Sequence, residues 1–117
     1  RWLTGSPGAG RHGSTVIEIL VNLIDFEMSL ENAIRAPKFT GYDAYKQIQL
    51  EDDFPPKTIE FLLALGHEVK RYEHPDLYFG GPNAIAVGEG GMLTGVGSIR
   101  RLGGAAAPQV KPKTKTK

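Results

Sequence analysis

Apolar and polar positions change their spacing several times along the 117 residues, and the first change comes within ten residues of the start. The apolar pair Trp2-Leu3 runs straight into a small-residue loop, Thr4 to Arg11, which suits the end of a buried strand. The run from Val16 to Phe26 follows that loop and is apolar around most of a helical circumference. The pattern therefore predicts a strand, a tight loop and a long, largely buried helix.

The predicted helix has start signals and one polar edge. Ser14 or Thr15 is placed to cap its first turn. Glu18, Asn22 and Asp25 are its polar positions, with spacings of four and three residues. That spacing is typical of the single solvent-facing edge of a buried helix, although a row of catalytic carboxylates would have a similar spacing.

The middle of the chain changes from helical spacing to alternation. Ser29 is a second N-cap, and Pro37 ends the short helix that follows it, so we expect a helical hairpin. From Tyr42 through Tyr45 to Leu50, apolar and polar residues alternate, which predicts one strand with a wet face.

The second half of the chain alternates helix and strand signals. Pro55-Pro56 begins a third helix, and Gly66 supplies its left-handed end. Val69 to Tyr72 follows as a strand. Ala84 to Val87 and Met92 to Val96 then form a hairpin around the glycine turn 89–91.

Composition limits the classes of function. A chain of this length forms one domain, and its net charge of +1 hides four lysines in the last seven residues, so the body does not have the charge of a nucleic-acid-binding protein. Without cysteine there is no disulfide or thiolate metal site, and no apolar stretch is long enough for a membrane span. Residues 104–117 are rich in alanine, proline, lysine and threonine and are predicted to be disordered.

The loop Thr4 to Arg11 is the best candidate for chemistry. Its glycines let a ligand approach main-chain N–H groups, and a loop that leads into a helix directs those groups at one point where an anion can bind. An ordinary strand-to-helix turn has the same spacing, so that alternative stays open. The sequence Gly10-Arg11-His12 matches neither the Walker nor the dinucleotide-binding signature, which argues against phosphate chemistry.

The order of these motifs resembles the γ-glutamyltransferase family, in the C-terminal part of the small subunit, over roughly residues 3 to 103. The matching stretches are Gly5-Ser6-Pro7-Gly8-Ala9 with Arg11, Asn22-Leu23-Ile24-Asp25 with Met28, Glu31-Asn32-Ala33, Ala36-Pro37-Lys38-Phe39 and Gly66-His67-Glu68-Val69. The departures from the family pattern are Ala9 for the second glycine of the loop, Glu27 for glycine, Thr40 for histidine, and Ser98-Ile99-Arg100 for Asp-Pro-Arg.

The resemblance implies an α+β fold of the N-terminal-nucleophile hydrolase type, an αββα sandwich of two antiparallel sheets, of which residues 1–103 form the C-terminal segment. It also implies that the backbone N–H groups of Gly8 and Ala9 stabilise an oxyanion during γ-glutamyl transfer or hydrolysis, for example of glutathione. The family's nucleophile is a threonine exposed by self-cleavage, and Arg1 cannot replace it because the base is the nucleophile's own α-amine. We therefore expect this chain alone to be inactive.

Further expectations concern partners and context. The partners implied by the resemblance are the large subunit, the nucleophile-bearing part of the small subunit and a γ-glutamyl substrate, with no metal or organic cofactor. A family member is typically periplasmic, secreted or at the cell surface. The chain begins at Arg1 without a signal-peptide pattern, which favours a start inside a longer reading frame. Two alternatives from other classes remain open: a non-catalytic anion-binding module that uses the loop and Arg11, and a structural subunit.

Overall fold

The computed structural model describes residues 1–42 and 46–108. In chain order its elements are strand β1 (Trp2–Gly5), a 3₁₀ turn (Ala9–Arg11), helices α1 (His12–Ile24) and α2 (Leu30–Arg35), strands β2 (Phe39–Tyr42) and β3 (Gln47–Glu51), helix α3 (Pro56–Ala64), strand β4 (Glu68–Tyr72), a 3₁₀ turn (Leu77–Phe79), strand β5 (Asn83–Val87), a 3₁₀ turn (Glu89–Gly91) and strand β6 (Leu93–Val96). The fold is therefore mixed α and β.

The first sheet pairs the first strand of the described chain with its last two strands. Its strand order is β1-β5-β6, all antiparallel, and Leu3 lies opposite Ile85. The hairpin of α1 and α2 covers one face of this sheet. The core at that contact consists of Ile19, Leu23, Leu30, Ala33, Ile34 and Ala84, with Ala86 and Val96 packed against it. The opposite face is open, and Leu3 is 61% exposed there, so the expectation of a buried first strand is wrong for this chain.

The second sheet has the order β2-β3-β4. Strands β2 and β3 are antiparallel, whereas β3 and β4 are parallel because α3 carries the chain back to the starting edge. The resemblance implied antiparallel sheets, so this pair differs from the expectation. The single strand predicted from Tyr42 to Leu50 is also wrong, since the chain reverses between β2 and β3. Tyr45 lies outside the described residues.

Helix α1 differs from its prediction at both its start and its surface. It begins at His12, directly after the 3₁₀ turn, and no side chain caps it. Only Thr15, Ile19 and Leu23 are buried along it. Ile17 is 61% exposed, so the helix is not largely buried within this chain.

The predicted solvent-facing edge of α1 is covered at two of its three positions. Glu18 Oε1 accepts a hydrogen bond from the N–H of Phe39 at 2.8 Å, and Asn22 Nδ2 donates to the carbonyl of Ala33 at 3.5 Å. Only Asp25 is exposed. The edge faces β2 and α2, which the local sequence pattern could not show.

Three local signals in the middle of the chain predict the structure correctly. Ser29 caps α2 by accepting from the N–H of Asn32, α3 begins at Pro56, and Gly66 has the positive φ of +90° expected at a helix end. The strand predicted from Val69 to Tyr72 is β4 (Glu68–Tyr72), and the hairpin of β5 and β6 is also confirmed.

Two further predictions concern membrane spans and the tail. No helix in residues 1–42 and 46–108 is long and apolar enough to cross a membrane. Residues 104–108 carry no helix or strand, and 109–117, with most of the lysine-rich tail, lie outside the described residues. The disorder of 104–117 therefore stays a prediction.

Candidate functional site

The loop between β1 and α1 presents main-chain N–H groups at the start of a helix. Gly8 has φ +135°, a conformation that glycine adopts without steric cost, and Ala9 has φ +51° in the left-handed region. Within the described part of the chain, the N–H groups of Gly8 and Ala9 have no hydrogen-bond acceptor. Both sequence-predicted site residues therefore lie together and offer free donors at the positive end of α1.

Each of these two peptide groups is held from its carbonyl side. The hydroxyl of Ser6 donates to the carbonyl of Pro7 at 2.7 Å, and the N–H of Arg11 donates to the carbonyl of Gly8 at 2.9 Å. The Pro7 carbonyl shares a peptide plane with the Gly8 N–H, and the Gly8 carbonyl shares one with the Ala9 N–H. In a planar trans peptide the C=O and N–H point in opposite directions, so these two bonds also orient the two donors.

The loop rests on residues 77–81, which we call the Tyr78 turn. The N–H of Gly81 donates to Ser6 Oγ at 3.1 Å, and Arg11 Nε donates to the carbonyl of Tyr78 at 2.6 Å. Thr15 Oγ1 donates to the carbonyl of Phe79 at 2.8 Å. Gly80 packs so closely under the loop that an added Cβ would lie 2.7 Å from the Pro7 carbonyl oxygen, so no side chain fits there.

An aromatic stack holds the Tyr78 turn in place. The Arg11 guanidinium carbon lies 4.0 Å from the centroid of the Tyr78 ring, whose other contacts include Tyr72, stacked at 4.8 Å between centroids. The Tyr78 hydroxyl donates to Gln49 Oε1 at 2.6 Å. Arg11 therefore contacts Tyr78 through its Nε and its guanidinium plane, so the anion-binding alternative would depend on its remaining Nη groups.

A buried ion pair joins Glu51, at the end of β3, to Arg100, in the segment after β6. Arg100 donates from Nη2 to Glu51 Oε1 at 2.7 Å and from Nε to Glu51 Oε2 at 3.0 Å, and Glu51 is fully buried. The same carboxylate accepts from the N–H groups of Lys38 and Asp76, both at 2.8 Å. Burial alone would raise the pKa of Glu51, but the hydrogen bonds and charge of Arg100 outweigh burial and hold that pKa below its ordinary value.

Two cations satisfy the carbonyls at the end of α2. Arg100 donates to the carbonyls of Ile34 and Ala36, at 2.7 and 2.9 Å. Lys38 Nζ donates to the carbonyls of Ala33 and Ala36, at 2.9 and 2.6 Å. Burial and the nearby charge of Arg100 lower the pKa of Lys38 to about 8. These cations complete a helix end that would otherwise leave buried carbonyls unpaired.

Glu18 is the other perturbed carboxyl. Its Oε2 is buried without a hydrogen-bond partner in the described part of the chain. Burial raises the pKa of Glu18 to about 7, against the lowering effects of the Phe39 N–H and the Lys38 charge. The residue lies between α1 and β2 and belongs to the packing of the scaffold.

The arrangement can stabilise a negatively charged oxygen but does not itself attack a carbonyl. The hydroxyl of Thr4 donates to the Asn83 carbonyl at 3.0 Å, and Ser6 is engaged with Pro7 and Gly81. His12 Nδ1 contacts the Ala9 carbonyl. No group of three or more metal-ligating side chains occurs among the residues that the structure covers.

Sequence reasoning missed the supports of the loop. Tyr78 and Gln49 lie far from residues 5–11 in sequence, and Tyr78 is contacted by Gln49 and Tyr72 from the paired strands β3 and β4. The glycine pair 80–81, next to an aromatic residue, was the one local signal that another segment approaches closely there.

Comparisons with known proteins identify the family of the chain. A family described as Gamma-glutamyltranspeptidase matches residues 1–108. The chain is 37% identical over 99 residues to the Acylase ACY 1 proenzyme of Pseudomonas sp. (strain V22), and 34% identical over 102 residues to the Glutathione hydrolase proenzyme of Escherichia coli (strain K12). These alignments cover 85% and 86% of the chain, and it spans only 17% of the length of each relative.

A solved structure shows the same fold. The crystal structure of cephalosporin acylase from Bacillus halodurans matches with a TM-score of 0.82 at 26% identity, over 92% of this chain and 20% of that one. The mixed α and β arrangement is thus a fragment of the N-terminal-nucleophile hydrolase type. With the family match covering nearly all of the described residues, the chain belongs to the γ-glutamyltranspeptidase family.

Proposed function

We propose that the chain is the C-terminal part of the small subunit of a γ-glutamyltransferase-like enzyme. In this role it supplies one part of an αββα sandwich together with two oxyanion donors, the N–H groups of Gly8 and Ala9. The remainder of the enzyme supplies the threonine nucleophile. The observation that carries the proposal is the pair of unbonded, oriented N–H groups at the start of α1.

The chemistry follows from what two such donors do during acyl transfer. When a nucleophile adds to a carbonyl carbon, the carbonyl oxygen gains negative charge, and fixed N–H donors stabilise that charge without reorganising. The start of α1 adds the positive end of the helix dipole at the same place. Collapse of the tetrahedral intermediate breaks the donor's C–N bond, releases the donor amine with a proton, and leaves the acyl group as an ester on the threonine. Water or an acceptor amine then attacks this ester, and the threonine hydroxyl leaves.

The substrate class comes from the family and the relatives. A γ-glutamyl compound such as glutathione is the proposed donor, since one relative is a glutathione hydrolase proenzyme. The similarity to Acylase ACY 1 supports acyl transfer as the proposed reaction, and an assay with different acyl donors would identify the acyl group. A complete reading frame with a threonine cleavage site upstream of residue 1 would support the enzyme, and a stop codon there would support a structural subunit.

The test replaces Ala9 in the complete enzyme, meaning this chain joined to the part that carries the threonine. Ala9→Pro removes one N–H, and we expect kcat for a γ-glutamyl anilide to fall by about 10²–10³. KM should change less, because the donor acts mainly in the transition state. Ala9→Gly keeps the N–H and should leave turnover within about a few-fold of the parent enzyme.

Distortion of the loop is the competing explanation, because proline cannot adopt the φ of +51° found at Ala9. Ala9→Val crowds the same position but retains the N–H, so it separates distortion from donor loss. If proline and valine had equal and modest effects on kcat, with unchanged melting temperatures, position 9 would not be an oxyanion donor.

A further inference from the structure

The Tyr78 turn contacts the side chains of two loop residues, Ser6 and Arg11, and each of these residues also bonds one donor-bearing peptide. Ser6 accepts from the Gly81 N–H and donates to the Pro7 carbonyl. The Arg11 side chain donates to the Tyr78 carbonyl, while its backbone N–H donates to the Gly8 carbonyl. Two parallel paths therefore lead from residues 78–81 to the two peptide planes that carry the Gly8 and Ala9 N–H groups.

We propose that Ser6 and Arg11 are positioning residues for acyl transfer, because they transmit the geometry of the Tyr78 turn to the two oxyanion donors. This inference rests on the proposed function. The Ser6 hydroxyl is used between Pro7 and Gly81, and Arg11 Nε is used by Tyr78. Their effect is on the direction of the donors.

The Ser6 path determines the direction of the first donor. The Pro7 to Gly8 peptide is planar, so holding its oxygen holds its N–H on the opposite side. Without the hydroxyl, the plane is free to rotate about the bonds that flank it, and Gly8 at φ +135° offers little steric resistance to such rotation.

The Arg11 path determines the direction of the second donor. The Arg11 guanidinium makes two contacts with Tyr78: Nε donates to the Tyr78 carbonyl at 2.6 Å, and the guanidinium carbon lies 4.0 Å from the centroid of the Tyr78 ring. Tyr78 is itself fixed by Tyr72 and Gln49. Anchoring the side chain therefore anchors the backbone N–H that holds the Gly8 carbonyl and, with it, the Ala9 N–H.

Two matched pairs of variants in the complete enzyme test the inference. Ser6→Ala is compared with Thr94→Val, which removes an exposed hydroxyl from strand β6. Arg11→Met is compared with Arg35→Met, since Arg35 pairs with Glu31 on the surface of α2 at 3.0 Å and belongs neither to the loop nor to the Tyr78 turn. Arg11→Lys keeps the positive charge but lacks the guanidinium Nε, so it distinguishes the effect of losing the charge from the effect of losing the bond to the Tyr78 carbonyl.

We expect Ser6→Ala, Arg11→Met and Arg11→Lys each to lower kcat by about 10- to 100-fold, because a small misplacement of a catalytic group costs that much. KM for the γ-glutamyl anilide should stay within about three-fold, since the ground state uses these donors little. Thr94→Val and Arg35→Met should retain the parent kcat within about three-fold, because surface substitutions away from a site usually have small effects. Melting curves of all variants are recorded alongside.

A second readout reports the donors directly. A boronic acid analogue of the γ-glutamyl group forms a tetrahedral adduct with the nucleophile, and one of its oxygens occupies the oxyanion position. Its inhibition constant should rise in Ser6→Ala and Arg11→Met by the same factor by which kcat/KM falls. A purely structural loss would lower the amount of active enzyme and leave the inhibition constant unchanged.

Comparison with Ala9→Pro distinguishes the two proposals. If Ala9→Pro loses kcat while Ser6→Ala and Arg11→Met keep it, the positioning role is wrong and the proposed function stands. If the two control variants lose as much as their partners, the positioning role is also wrong. If Ala9→Pro itself keeps the parent kcat, the proposed function fails, and the inference fails with it.

Discussion

At the scale of single residues, Glu27 stores strain just after α1. Its φ is +51°, and a residue with a side chain pays about 1–2 kcal/mol in that region. Glu27→Gly should therefore stabilise the chain by about 0.5–1 kcal/mol after the extra chain entropy of glycine is subtracted. Urea unfolding followed by circular dichroism measures the difference.

The matched control for this prediction is Glu60→Gly. Glu60 is exposed within α3, where the backbone is helical, so glycine should destabilise the chain there by about 1 kcal/mol. Opposite signs for the two variants would confirm the strain. A destabilising Glu27→Gly would show that the glutamate side chain compensates for its backbone.

The same scale shows which residues could be predicted from the sequence. Local roles could be predicted from adjacent residues, as for Ser29, Pro56 and Gly66, because each of these residues acts on its own turn. The contact of Glu18 could not be predicted in this way, because its partner, the Phe39 N–H, lies 21 residues away and belongs to another element. The positive φ of Ala9 was likewise not predictable from adjacent residues, since it lies in a loop whose residues 6–8 pack against the distant Gly80.

At the scale of elements, the ion pair of Glu51 and Arg100 joins the end of β3, the end of α2 and the segment after β6. Arg100→Met leaves a buried carboxylate without its main partner, so we expect a loss of about 3–5 kcal/mol in the free energy of unfolding. Arg35→Met is the matched control. Arg35 pairs with Glu31 on the surface of α2 at 3.0 Å, a contact worth about 0.3–0.5 kcal/mol.

Denaturant unfolding of both variants gives the comparison. Similar small losses from the two arginines would show that the carboxylate is protonated or solvated when Arg100 is absent. The elements that this pair joins were mostly predicted, but the pairing of β3 with β4 was not. A parallel pair depends on the path of α3, which hydrophobic spacing does not report.

At the scale of the whole molecule, the chain leaves two apolar surfaces uncovered. One is the outer face of the first sheet, with Leu3, Ile85 and Leu93 exposed. The other is a stripe along α1, with Ile17, Val21 and Ile24 exposed. Exposed patches of this kind and open strand edges favour association, so the isolated chain should self-associate at micromolar concentration.

Sedimentation velocity over a concentration series measures this association. Ile85→Gln with Leu93→Gln should reduce it, because these side chains point away from the core of Ile19 and Ala84. Gln substitutions at the exposed Glu60 and Glu68 serve as the control and should have no effect. A monomer at every concentration with a cooperative melt would instead show a self-sufficient domain.

The distance in sequence between the loop and the Tyr78 turn has a consequence for timing during synthesis. Ser6 and Gly81 are 75 positions apart, and Arg11 and Tyr78 are 67 apart. At roughly 5–20 residues per second, a ribosome needs several seconds to add the second partner of each pair. In the proposed enzyme, the catalytic donors would therefore stay unaligned on a nascent chain, and acyl transfer would begin only after translation had passed the turn.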